Sequence, residues 1–369
     1  MKKIAFLSYD MNVGGAERMI SVLVNQFVRA ETTVDLVLVN RQGEFLKDVS
    51  PKARIISFDK PHLRAAIPAL IRYFASEKPD VVISSLTHLN LAAVICRILS
   101  RSNAKLILIE HNTISQNNLA LNLKERLITR AAHLLYPRAD KIVVVSNGSA
   151  KDLIQTIKID PNLIQPIYNP LDLQLIREHG NETPDHRWLT DKQMPVLLAI
   201  GRLMPAKNFP FLLSAFSEVV KQRACRLIIL GEGAERINLE KQIADLGLEE
   251  MVDLPGIKTN PYAFLTHSDM LLCTSNYEGF NLTIAEALAC GTPVVSVDCP
   301  HGPAEILENG RWGKLTPLGD QQAFTDAILT TLDTPISADG RLALQQRSEA
   351  FSADEIFRQY QELIHSLKK

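Results

Sequence analysis

The 369-residue chain has no run of about 18 apolar residues, so no segment is expected to cross a bilayer as a helix. Its N-terminus, Met1-Lys2-Lys3, leads directly into Ile4-Ala5-Phe6-Leu7-Ser8. That run is too short for a signal-peptide core and has the pattern of a first strand, so a cytoplasmic protein is expected. Cysteine is scarce: Cys96, Cys225, Cys273, Cys290 and Cys299 are odd in number, widely spaced and without a C-x-x-C pair. That predicts buried, reduced thiols over a metal or disulfide role. No Asp-x-Asp pair occurs, so no acidic clamp for Mg²⁺ or Mn²⁺ is visible and no metal is expected. There is no G-x-G-x-x-G run, which weakens a dinucleotide reading, and there is neither a short-period repeat nor a low-complexity tract.

What the chain does have is two unlike halves. Through Asp172 it holds 22 Lys and Arg against 15 Asp and Glu, and beyond it 18 against 26, so a basic half precedes an acidic one. Part of the positive charge lies in two segments, 60–78 (Lys60, Arg64, Arg72, Lys78) and 124–141 (Lys124, Arg126, Arg130, Arg138, Lys141). Both alternate cations with apolar residues, as solvated helices over a sheet do, or as helices that meet an anionic membrane or a lipid-linked substrate. No nucleic-acid partner is expected.

Short apolar runs followed by helix-period segments recur at Ile4 to Ser8, Val34 to Val39, Val81 to Ser84, Leu106 to Ile109 and Ile142 to Val145. This alternation predicts an α/β fold with a parallel sheet covered on both faces. The pattern lapses between Asn169 and Pro195, where the polar stretch 179–185 predicts an interdomain linker. It restarts at Val196 to Ile200, Arg226 to Leu230, Val252 to Leu254, Met270 to Cys273 and Val294 to Val297, giving a second doubly wound unit. A last helix, Ala353 to Leu367, follows Ser352 as N-cap and carries Ile356, Phe357, Tyr360, Leu363 and Ile364 on one stripe. The expected domains are therefore 1–172, completed by 353–369, and 173–352.

Ligands of open parallel sheets sit beyond the carboxyl ends of the strands, and four motifs fall there. The strongest runs from Asn276 to Val295 and includes Glu278, Gly279, Phe280, Asn281, Leu282 and Glu286. A helix is predicted to start near Asn281, with the amides of Gly279 to Leu282 as bare donors suited to a diphosphate. Glu286 stands in an otherwise apolar helix, where an unpaired carboxylate is costly, and suits the vicinal hydroxyls of a ribose or hexose. The second motif, Gly201-Arg202-Leu203-Met204-Pro205-Ala206-Lys207-Asn208, projects two cations from one loop toward a departing diphosphate. The third, Gly14-Gly15-Ala16-Glu17, opens the first helix with bare amides, and the fourth is His111 after the strand Leu106 to Ile109.

These motifs, in this order, resemble the family 4 retaining glycosyltransferases, whose GT-B fold has two Rossmann-like doubly wound domains facing across a cleft. The likeness extends to Ser146-Asn147, Asn169-Pro170 and Leu230-Gly231-Glu232-Gly233. It implies that Gly201, Arg202 and Lys207 serve the diphosphate and that Glu286 holds the ribose. Glu278 with Phe280 and Asn281 would hold the donor sugar and its phosphate, with Gly279 and Leu282 beside them. Backbone near Ile257 would contact the base, His111 would touch the sugar, and the Gly14-Gly15 loop would border donor and acceptor. The expected catalytic set is thus Arg202, Lys207, Glu278 and His111. The implied donor is a nucleotide sugar, UDP-linked by family habit, and the implied acceptor a saccharide or lipid-linked saccharide at the inner face of a membrane. One departure is Cys299-Pro300-His301-Gly302-Pro303-Ala304-Glu305, where many relatives have a shorter turn; it resembles enzymes of bacterial surface polysaccharide or lipid-linked oligosaccharide assembly. Two other readings stand beside this one: a nucleotide-sugar epimerase of the same architecture, and a non-catalytic nucleotide-sugar-binding subunit.

Overall fold

A computed structural model of the chain describes residues 3–12, 14–111 and 123–367. Val13 and Asn112, which flank two of the motifs, lie outside them. The chain divides into two compact units, 1–171 with 351–369, and 172–350.

The first unit holds a seven-stranded, all-parallel sheet in the order β3-β2-β1-β4-β5-β6-β7. The strands are β1 (Lys3–Ser8), β2 (Thr33–Leu38), β3 (Arg54–Ser57), β4 (Val81–Ser85), β5 (Lys105–Glu110), β6 (Lys141–Val144) and β7 (Ile164–Pro166). Helices α1 (Gly15–Arg29), α2 (Leu63–Glu77), α3 (Thr87–Leu99), α4 (Leu123–Leu135) and α5 (Asn147–Ile157) connect them. A sheet covered on both faces must be apolar on both, and alternate residues of one strand accordingly enter different cores. Leu106 and Leu108 pack with α2, α3 and α5 residues such as Phe74, Val94 and Leu153. Ile107 and Ile109 pack on the other side with Leu23 and Phe27 of α1.

The second unit repeats the plan with six parallel strands in the order β10-β9-β8-β11-β12-β13. These are β8 (Val196–Ile200), β9 (Arg226–Leu230), β10 (Val252–Gly256), β11 (Met270–Cys273), β12 (Val294–Asp298) and β13 (Lys314–Pro317). Its longer helices are α6 (Leu173–Gly180), α7 (Phe209–Val220), α8 (Arg236–Asp245), α9 (Pro261–His267), α10 (Leu282–Ala289), α11 (Gln321–Asp333) and α12 (Ala338–Ser348).

One feature corrects the sequence reading, and the last helix lies where it was expected. The polar stretch 179–185 is not a linker. It closes α6 and is held within the second unit, where Asn260 Nδ2 donates to His179 O at 2.9 Å and Lys258 Nζ to Asp185 Oδ2 at 3.1 Å. The chain passes between units at 171–172 and again at 350–351. The last helix, α13 (Ala353–Ser366), belongs to the first unit: the Ser352 hydroxyl accepts from Glu355 N, and Ile356, Tyr360, Leu363 and Ile364 join the α1 core. Phe357 meets Phe27 edge-on, with ring centroids 4.8 Å apart. All five cysteines are buried and free, and burial pushes the thiols of Cys96, Cys225 and Cys290 up to about 12.

Candidate active site

In each sheet the strand order reverses once, between β1 and β4 in the first unit and between β8 and β11 in the second. Connections leave in opposite directions at such a point, which opens a crevice at the carboxyl ends of the two strands. The loops after β8 and β11 carry the Gly201 to Asn208 and Asn276 to Leu282 motifs.

Those two loops are laced together. Asn276 N donates to Ala206 O at 2.8 Å, Asn276 Nδ2 to Pro205 O at 3.0 Å, and Thr274 Oγ1 to Lys207 O at 2.9 Å. Lys207 does not project outward with Arg202 as the sequence suggested. It turns in and sets its Nζ 2.6 Å from Glu278 Oε1. Its stem passes Gly201 closely, so that a Cβ there would lie 3.1 Å from Lys207 Cε and crowd it. Arg202 is exposed.

Glu278 Oε1 is a shared acceptor, taking hydrogen bonds from Ser275 Oγ at 2.6 Å and Asn281 Nδ2 at 3.0 Å as well as from Lys207. Burial acts to lower the Lys207 pKa, but the Glu278 carboxylate and lesser neighbours outweigh it and hold the ammonium above the ordinary lysine range. The pair is therefore a standing charge couple. Asn281 also caps α10, its side chain accepting from Ile284 N. Gly279 and Phe280, expected to offer bare amides, are buried and already have interactions of their own. Glu286, 4% exposed, faces Tyr262 of α9, whose hydroxyl donates to Glu286 Oε1 at 3.4 Å.

The unusual segment 299–305 packs directly on this turn. Glu278 N donates to Pro300 O at 3.2 Å. Gly302 sits at φ +92°, where a Cβ would come within 3.3 Å of Asn281 N. Farther along the same sheet edge, Ile257 follows β10 and is exposed, and Gly231 N donates to Gly256 O at 3.0 Å.

The remaining sequence-predicted residues lie in the first unit. Gly14 is the N-cap of α1, and Gly15 its first residue. A Cβ on Gly14 would fall 2.2 Å from Glu17 Oε2, so the Glu17 carboxylate folds back over a helix start expected to be bare. His111 follows β5 and is bonded through Nε2 to Ser85 Oγ of β4 at 2.8 Å. Burial pushes its imidazole down to about 4, so it is neutral at pH 7 and offers one donor and one acceptor. The sequence did not single out Ser85, Ser275 or Tyr262. Each acquires meaning only through a partner 26, 3 or 24 residues away.

Two family models cover the chain. Residues 13–175 match Glycosyltransferase Family 4, and residues 182–349 match Glycosyl transferases group 1. The chain is a family 4 glycosyltransferase. It is 29% identical over 370 residues to the N-acetylgalactosamine-N,N'-diacetylbacillosaminyl-diphospho-undecaprenol 4-alpha-N-acetylgalactosaminyltransferase of Campylobacter jejuni, covering 97% of this chain and 98% of that one. It is 26% identical over 299 residues to the amylovoran biosynthesis glycosyltransferase AmsD of Erwinia amylovora, covering 81% of each. Among solved structures, Anabaena HepE in complex with UDP and glucose matches with a TM-score of 0.80 at 20% identity, over 99% of this glycosyltransferase and 100% of HepE. That likeness establishes the GT-B fold.

Proposed function

We propose that this glycosyltransferase transfers a hexose or N-acetylhexosamine from a UDP-sugar to a saccharide or lipid-linked saccharide, with retention of configuration and without a metal ion. The observation that carries the reading is the Lys207–Glu278 couple before α10, with Arg202 on the same loop: cations suited to a diphosphate stand beside a carboxylate suited to sugar hydroxyls. Supporting it are the relative that acts on a diphospho-undecaprenol saccharide and the neighbour that holds UDP and glucose.

In this reading Glu286 binds the ribose, backbone near Ile257 the base, and Glu278 with Asn281 the donor sugar. As the glycosidic C–O bond breaks, negative charge develops on the leaving diphosphate, and Arg202 and Lys207 stabilise it. The leaving phosphate oxygen takes the acceptor hydroxyl proton as that hydroxyl attacks from the same face. His111, neutral, hydrogen bonds the sugar without competing for the diphosphate, and the Gly14–Gly15 loop borders donor and acceptor.

A lipid-linked acceptor requires the enzyme to work at a membrane surface, at the cytoplasmic face. Among the described residues no helix is long and apolar enough to cross one. The surface favouring contact is that of α3 and α4, where Ile95, Ile98, Leu99, Leu127 and Leu134 are exposed beside Arg126 and Arg130. By contrast α2 exposes Arg64 and Arg72 without a large apolar residue and reads as a solvated helix.

The test is to incubate the protein with a panel of nucleotide sugars, with and without an undecaprenyl-diphosphate saccharide, and to follow free nucleotide and sugar product. Nucleoside diphosphate released only with acceptor supports transfer. A donor epimerised without acceptor, or bound without turnover, overturns it in favour of an epimerase or a silent binding subunit.

A further inference from the structure

The sheet edge that presents His111 contains a buried acid that the reading above leaves without a role. Glu110, the last residue of β5, is 2% exposed. Its carboxyl group takes hydrogen bonds from Thr87 Oγ1 at 3.0 Å, from Asn90 Nδ2 at 2.9 Å and from the Tyr136 hydroxyl. Asn90 and Tyr136 are themselves fully buried. None of these partners is a cation, so among the described residues the carboxyl group is held by neutral donors. Burying such a group costs free energy, which makes its presence here informative.

The donors converge from particular places. Thr87 and Asn90 lie in the first turn of α3, directly after Leu86, and Leu86 is at φ +78°, ψ 137°. A branched, Cβ-bearing residue adopts that conformation only when its surroundings over-determine it. Leu86 N donates to Ile109 O at 3.3 Å, Asn90 N donates to Leu86 O at 2.9 Å, and Asn90 Nδ2 also reaches Ile109 O at 2.9 Å. Glu110 supplies the remaining ties. On the other face of the same two strands, the residue before the strained turn, Ser85, meets the residue after Glu110, His111.

We propose that Glu110 is a positioning residue: its carboxyl group clamps the strained Leu86 turn and the end of β5 together, and so fixes the Ser85–His111 pair that faces the transferred sugar. The inference rests on the assignment of His111 to the sugar. It adds the group that holds the imidazole in place, and it accounts for how Leu86 is held in a conformation in which glycine would be relaxed.

The experiment compares Glu110→Gln, Tyr136→Phe, His111→Ala and the double variant Glu110→Gln with Leu86→Gly in the full chain. Readouts are kcat and KM for donor and the NMR signals of the His111 ring. Glu110→Gln is expected to lower kcat about tenfold with a smaller change in KM, and to shift or broaden the His111 signals. Tyr136→Phe should do the same more weakly, and it serves as the reporter if the Gln variant fails to fold. Relieving the strain with Leu86→Gly should restore most of the kcat lost in Glu110→Gln. Folded variants at Glu110 or Tyr136 with wild-type kcat and wild-type His111 signals would overturn the proposal. If His111→Ala keeps full activity, the sugar-binding role of His111 falls, whereas the ring signals in the other variants still decide whether Glu110 positions it.

Discussion

The two units share a plan and differ in how their sheet edges handle charge. In the second, the edge around β8 and β11 is built from ions: Lys207 and Glu278 pair at 2.6 Å, Arg202 stands exposed nearby, and Glu286 is buried against a tyrosine. In the first, the edge around β4 and β5 is built, among the described residues, without such ion pairs: a neutral imidazole, a serine, and behind them an acid surrounded by hydroxyls and an amide. In the proposed reaction a charge-bearing diphosphate and an uncharged sugar ring make different demands, and the difference between the edges is what that proposal calls for. Fixed charges stabilise a developing anion, while neutral hydrogen-bonding groups orient hydroxyls without drawing the anion away.

The comparison breaks most sharply at Lys207. Replacing it with alanine leaves Glu278 half-buried without its cation and removes the charge proposed to face the leaving group. We expect kcat to fall roughly 10²–10³-fold, measured by nucleotide release, with KM for donor moving much less. Glu286→Ala should act on binding instead, weakening donor affinity about 10–100-fold by calorimetry with the nucleoside diphosphate, the loss typical of a hydrogen bond to a charged group. Equal effects of the two substitutions on kcat would remove the division of labour proposed for that loop and helix.

On the neutral edge the test is acid. The folded state holds His111 near 4 against an ordinary 6.5, so the unfolded chain binds the extra proton between those values and stability falls as pH drops through that window. His111→Gln should lose less stability than wild type between pH 7 and pH 5 in urea unfolding, all other groups being common to both proteins. Parallel losses would mean that the imidazole is not held neutral. The smallest expected effect is that of chelation: with Arg202 and Lys207 neutralising the diphosphate, EDTA should leave the transfer rate unchanged, and a metal-restored loss would contradict that assignment.

Much of this was legible in the sequence. The ten strands read from apolar runs are all present, because a parallel sheet buried on both faces cannot avoid such runs. Three strands were missed: β3, β7 and β13. They are sheet edges, three or four residues long, opened by Arg54 or Lys314 or closed by Pro166 or Pro317. The stretch 179–185 reads as a linker because its polarity is local, whereas its partners Lys258 and Asn260 arrive from 73 and 81 residues later. Among the motifs, Glu286 stood out because a carboxylate in an otherwise apolar helix needs a reason, and Glu278 and Asn281 because they lead into the start of that helix. The direction of Lys207 was not legible, since it depends on an acid 71 residues away. Nor was the Glu110 clamp, whose donors come from two separate helical turns.

The return of the last helix has a consequence for how the protein is made. Leu171 N donates to Phe351 O at 2.7 Å and Ala353 N to Leu171 O at 2.8 Å, so the point where the chain departs from the first unit adjoins the point where it comes back. Residues 172–350 are thus an insertion with neighbouring ends, a module that a ribosome delivers whole while its host is still missing α13. The N-terminal unit is begun first and finished last: its α1 face, with Phe27 uncovered, must wait for Phe357 and Tyr360.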